Sequence, residues 1–213
     1  MASSLRVLGI DPGLTRCGVG VVDVARDRSA RLVHVGVVRS SAAQPVSERL
    51  AAIAAGLRAV IAEHGPAVVA VERVFAQQNR HTVMGTAQAS GVALLVAAEH
   101  GLPAATHTPT EVKAAITGYG SAEKLQVQAM VARILRLDVL PQPADAADAL
   151  AIALCHAWRR GVPSADGPSA DGPSADGPSA DGPSAEGSSA GDPRAVLTPA
   201  QRAWADAERG ARR

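Results

Sequence analysis

Val- and Ile-rich apolar runs stand at residues 5–10, 17–22, 32–38 and 67–71, each of strand length and each bounded by polar or turn-forming residues. The first three are separated by short turns, which predicts an antiparallel meander. The fourth follows a stretch with helical spacing over residues 46–63, which predicts a crossover into a parallel strand. Helical spacing returns at 80–100, despite Gly85 and Gly91, and residues 103–107 read as a fifth strand. Three further helices are predicted at 110–116, at 121–137 with Ser121 as its cap, and at 145–160. The order predicts an α/β fold: a mixed five-stranded sheet, antiparallel over its first three strands and parallel afterwards, flanked by helices.

Beyond residue 161 the pattern ends. Residues 163–187 repeat Pro-Ser-Ala-Asp-Gly four times and then Pro-Ser-Ala-Glu-Gly. With no large apolar side chain, with Pro and Gly opposing helix and sheet, and with regularly spaced carboxylates, this segment is expected to be disordered. The expected organisation is a folded unit over 1–161, a linker over 162–193, and a short segment over 194–213. Pro199 and Trp204 in that last segment permit a marginal helix.

Composition sharpens the picture in three respects. Apolar residues make up 47% of the 213, enough for a real core, whereas aromatics are 2%: Phe75, Tyr119, Trp158 and Trp204. The formal charge of +1 hides an asymmetry, since residues 1–160 carry 16 basic and 12 acidic side chains and residues 161–213 carry 5 and 8. Cys17 and Cys155 can form neither a disulfide framework nor a metal-ligand spacing, and no apolar run approaches the length of a bilayer span. These features predict a cytoplasmic protein with no membrane partner.

The candidate chemistry lies in four carboxylates. Asp11 ends the first strand and is followed at once by the turn formers Pro12 and Gly13, and Glu72 is the first charged residue after an unbroken apolar strand. If the two strands are neighbours, the carboxylates converge. Asp145 and Asp148 stand three residues apart near a helix start, which puts both on one face. Taken singly, each has an ordinary explanation as a turn former, a solvated strand end or a helix cap. Asp148, however, shares a helix face with Ile152 and Cys155, where a solvated acid is out of place. Four such groups in one pocket repel unless a hard divalent cation neutralises them, which predicts magnesium. Two ions can activate water on one side of a phosphodiester and stabilise the leaving oxygen on the other. The chain has no Gly-x-Ser-x-Gly elbow, no Gly-x-x-x-x-Gly-Lys-Ser/Thr loop and no Cys with a base partner.

Four motifs, residues 9–13 (Gly-Ile-Asp-Pro-Gly), 71–75 (Val-Glu-Arg-Val-Phe), 120–124 (Gly-Ser-Ala-Glu-Lys) and 144–151 (Ala-Asp-Ala-Ala-Asp-Ala-Leu-Ala), stand in the order and spacing of the RuvC family of bacterial Holliday junction resolvases. The resemblance covers roughly residues 5–158. It implies a ribonuclease H-like fold, a homodimer, and magnesium-dependent paired nicking of a four-way DNA junction in recombination and repair. Two ions per site are implied, with manganese an alternative, and RuvA and RuvB as partners. Asp11, Glu72, Asp145 and Asp148 match the family's acidic positions. Lys113 and Lys124 match lysines used near the scissile phosphate, and they are the only lysines beside 19 arginines. Phe75 matches an aromatic that stacks on a base, and Arg80 is a candidate DNA contact. The repeat and the Trp204 segment have no counterpart in the family's conserved body.

Three rivals remain on sequence grounds. Asp11 to Thr15 also resembles a phosphate turn of sugar kinases and actin-like ATPases, but those need a second comparable domain. A non-catalytic junction binder would not need all four acids. A nuclease of ribosomal RNA precursors shares the fold, but the Glu72–Phe75 and Ser121–Lys124 segments favour the DNA enzyme.

Overall fold

The computed structural model describes residues 4–74 and 80–159, with side chains from residue 83 onward in the second stretch. Ten elements follow one another: β1 (Leu5–Asp11), β2 (Arg16–Val24), β3 (Ala30–Arg39), α1 (Val46–His64), β4 (Val68–Glu72), α2 (Arg80–Glu99), β5 (Ala104–His107), α3 (Pro109–Thr117), α4 (Lys124–Ile134) and α5 (Ala144–Arg159). The sheet order is β3-β2-β1-β4-β5, antiparallel on the β3-β2-β1 side and parallel from β1 to β4 to β5.

Strand alternation divides the core between the two faces. Val7, Val22, Val68 and Ala70 pack beneath α3, α4 and α5. Leu8, Ile10, Val19, Val21, Val69 and Val71 pack against α1 and α2. Helix α5 is buried almost all round, from Ala146 to Cys155, with Asp148 the one interruption. Small residues on both sides permit this. A Cβ at Gly9 would strike the Ala149 carbonyl and stand 2.7 Å from the Ala153 nitrogen, and one at Gly18 would strike the Asp145 carbonyl. Glycine at these two places lets an alanine-rich helix lie directly on the strand backbone.

Two expectations need correction. The helix predicted from Ser121 to residue 137 runs only from Lys124 to Ile134. Its start is set by the extended Glu123, whose N–H donates to Gln126 Oε1 at 2.8 Å, so Ser121 is not the cap. Its end is followed by Arg136 in a left-handed conformation, with φ of 54°. The predicted disorder of 162–193, the marginal helix near Trp204 and the placement of Phe75 fall outside the described residues. Among the described residues no helix is long and apolar enough to cross a membrane.

Candidate active site

Three elements deliver the carboxylates. Strands β1 and β4 run parallel with Ile10 opposite Val71, so Asp11 and Glu72 end neighbouring strands at the same edge. Residues 7 and 9 of β1 and 68 and 70 of β4 face α5, and by alternation so do residues 11 and 72. The first turns of α5 lie over that edge, pressed close at Gly18, and bring Asp145 and Asp148 with them. Carboxylate oxygens of Asp11, Asp145 and Asp148 then lie within 4.8 Å of one another. Glu72 lies outside that trio but near enough for its charge to act on Asp11.

The electrostatics follow from that crowding. Burial first, then the charges of Glu72, Asp148 and Asp145, push the Asp11 carboxyl up to about 8. Burial and the Asp148 charge likewise raise Glu72, against the favourable interaction with the Asp11 carboxyl and the pull of Lys124 and Lys113. Two carboxylates are matched by cations of the chain itself. Lys124 Nζ stands 2.7 Å from Asp148, and Arg16 Nε donates to Asp145. Burial works against the Lys124 ammonium, but its bond to Asp148 and the fields of Asp11 and Asp145 together hold the proton more firmly than usual. Lys124 is the first residue of α4, where a helix dipole disfavours a cation. Asp148 offsets that penalty, so the site rather than the helix accounts for lysine there.

Lys113 lies half-buried on α3, and its charge favours the ionised form of Glu72. Arg80 opens α2, with its side chain outside the described residues. Behind the cluster, His107 stands opposite Glu72 in the β4–β5 register, with its Nε2 3.0 Å from His156 Nδ1. Burial pushes this imidazole below its ordinary range. Arg73 donates to Thr106 Oγ1, along β5. Arg16 was not singled out by sequence. It is one arginine among 19, and only its place at the start of β2, just past the Asp11 turn, hinted at it.

An all-oxygen donor set that holds like charges together, partly buried, fits a hard divalent cation. A mixed sheet whose adjacent parallel strands each end in a carboxylate, crossed by a helix bearing two more, defines a ribonuclease H-like metal-dependent nuclease. The comparisons narrow that class. The family profile described as "Crossover junction endodeoxyribonuclease RuvC" matches residues 7–156. A protein of that name from Leifsonia xyli subsp. xyli is 60% identical over 210 residues, covering 99% of this chain and 95% of the relative. One from Clavibacter michiganensis subsp. michiganensis is 63% identical over 161 residues, covering 76% and 80%. The solved structure "T. thermophilus RuvC in complex with Holliday junction substrate" superposes with a TM-score of 0.70 at 41% identity, over 73% of this chain and 94% of that one. The chain therefore belongs to the RuvC family of crossover junction endodeoxyribonucleases. The profile stops at residue 156, yet the Leifsonia alignment runs on through the C-terminal segment, so that segment has an aligned counterpart in at least one relative.

Proposed function

We propose that this protein resolves four-way DNA junctions by magnesium-dependent, paired, symmetric nicking, leaving 5′-phosphate and 3′-hydroxyl ends. The observation that carries the reading is the meeting of Asp11, Asp145 and Asp148 within 4.8 Å, with Glu72 at the end of the strand beside Asp11's. These four would hold the cations, magnesium first and manganese as an alternative, two to a site. Bound there, the cations supply an activated water and a stabilised leaving oxygen. Lys124, already at Asp148, and Lys113, beside Glu72, are placed to hold oxygens of a phosphate brought to the cluster. Phe75 is proposed to stack on a base near the opened junction centre, and Arg80 to contact the backbone.

A junction has two-fold symmetry, so two cuts of like polarity call for two copies of the site. We propose a homodimer formed through the outer face of α2, where Met84 and Leu95 are 66% and 56% exposed beside Leu94. The working unit is residues 1–161, with 162–193 as linker and 194–213 as an appended segment. RuvA and RuvB are proposed as partners on the same DNA, in the cytoplasm. In the deciding experiment, purified protein, magnesium and a synthetic junction yield paired nicks, while a plain duplex and a structured RNA stay intact. The Asp11→Asn variant binds the junction without cutting. Unchanged cutting by that variant would falsify the metal site.

A further inference from the structure

A wide concavity lies away from the carboxylates. A groove of about 1150 Å³ opens between the β2–β3 hairpin, α3, the end of α4 and the end of α5. Ten residues of helix separate Asp148 from its wall at Trp158, roughly 15 Å along α5. Its lining is apolar at Ile134 and Trp158, with Ile116 and Met130 buried beneath them, and cationic at Arg28, Arg31, Arg133, Arg136 and Arg159. Against these five stand Asp23 and Asp27 on the lining, and Glu111 outside it pairs with Arg159. Asp23 is spoken for by Arg6 and Arg31. Asp27 accepts from Ser29. The groove therefore keeps a lining that is net positive and partly apolar.

We propose that the acidic repeat of the same chain docks in this groove. The last two described residues, Trp158 and Arg159, are themselves groove wall, so the chain continues from its edge. Residues 161–193 carry six carboxylates and no Lys, Arg or His, a charge pattern complementary to that lining. Asp166 follows Arg159 by seven residues, a reach of roughly 24 Å from the groove wall. Each repeat offers Pro and Ala to the apolar part of the lining and one carboxylate to its arginines. Exposed ion pairs of this kind are individually weak, but a short tether supplies a local concentration in the millimolar range, so weak contacts suffice for substantial occupancy. Contacts of this sort are screened by salt, since the Debye length falls from roughly 10 Å at 0.1 M to about 3 Å at 1 M. Docking is independent of the nuclease reading, because no groove residue belongs to the carboxylate cluster.

A spin label in the repeat of the full-length chain tests this. Cys17 and Cys155 are buried, with thiols pushed up to about 12, so a single Ser174→Cys is labelled selectively. At low salt the amide signals of Ile116, Met130 and Trp158 are expected to lose about half their intensity relative to the reduced label, while those of Leu57 on the opposite face of the sheet are unchanged. The loss disappears at high salt, in a chain with Asp166, Asp171, Asp176 and Asp181 changed to Asn and Glu186 to Gln, and in Arg28→Gln/Arg136→Gln. No selective loss at low salt overturns the proposal, as does a loss that survives neutralisation of the repeat. If the groove signals ignore the label but shift with short duplex DNA, the groove takes a nucleic-acid arm and the proposal fails.

Discussion

Asp148 and Lys124 show how one pair of side chains can serve two states. The ammonium at 2.7 Å offsets a partly buried carboxylate, and under the proposed function the same ammonium would receive a phosphate oxygen. Removing it should cost transition-state stabilisation more than affinity. Lys124→Gln is expected to lower the single-turnover cutting rate about 100-fold, with junction affinity changed far less. Lys124→Arg should not restore the rate, because a planar fork does not replace a compact charge. Asp11 is the opposite case, a carboxylate held among others. Relieving that burial and repulsion should stabilise the chain, so Asp11→Asn is expected to gain about 1 kcal/mol in chelator and to forfeit the thermal stabilisation that magnesium would give the parent under the proposed function. Melting curves with and without the cation check both halves. The four acids were legible in sequence because each stands at the end of an apolar run or on an apolar helix face. Arg16 was not, because its partner Asp145 is 129 positions away and no local pattern sets it apart.

At the scale of elements, the site depends on how closely α5 lies on β1 and β2. Gly9→Ala would force the Ala149 carbonyl off the strand, and is expected to cost about 3 kcal/mol and to abolish cutting without touching a site residue. Chemical denaturation and a junction assay measure the two effects. The far end of the same strands is tied by Arg6, which donates to both oxygens of Asp23 at 2.7 and 2.9 Å, with Arg31 adding a third contact. The Arg6 hydrogen bond, against burial and with Arg31, holds the Asp23 carboxyl below the usual range. A folded-state value below the unfolded one means stability that is present above the unfolded value of about 4 and is lost as pH falls through the folded one. Asp23→Asn should therefore cost about 1.5 kcal/mol at neutral pH and flatten the acid limb of a stability-against-pH curve. Strand and helix identities were readable from periodicity. The adjacency of β4 to β1 was not, because it depends on where α1 carries the chain rather than on any property of the strands.

For the whole molecule, the proposed dimer surface on the outer face of α2 would decide whether one site or two act on a junction. Met84, Ala87, Gly91, Leu95 and Ala98 form a stripe at helical spacing, and all five are exposed. Leu95→Glu is expected to turn a dimer into a monomer by sedimentation and to convert paired nicks into single ones, while each site still cuts. A face of this kind was hard to read in sequence, since alanine and glycine on a helix look alike whether they meet a sheet or a second subunit. The order of assembly carries one last implication. The cup draws on the first strand and the last described helix, so a nascent chain halfway off the ribosome holds Asp11 and Glu72 but lacks their counterparts. Under the proposed function, a half-made copy would have no competent cutting centre until synthesis had passed residue 148.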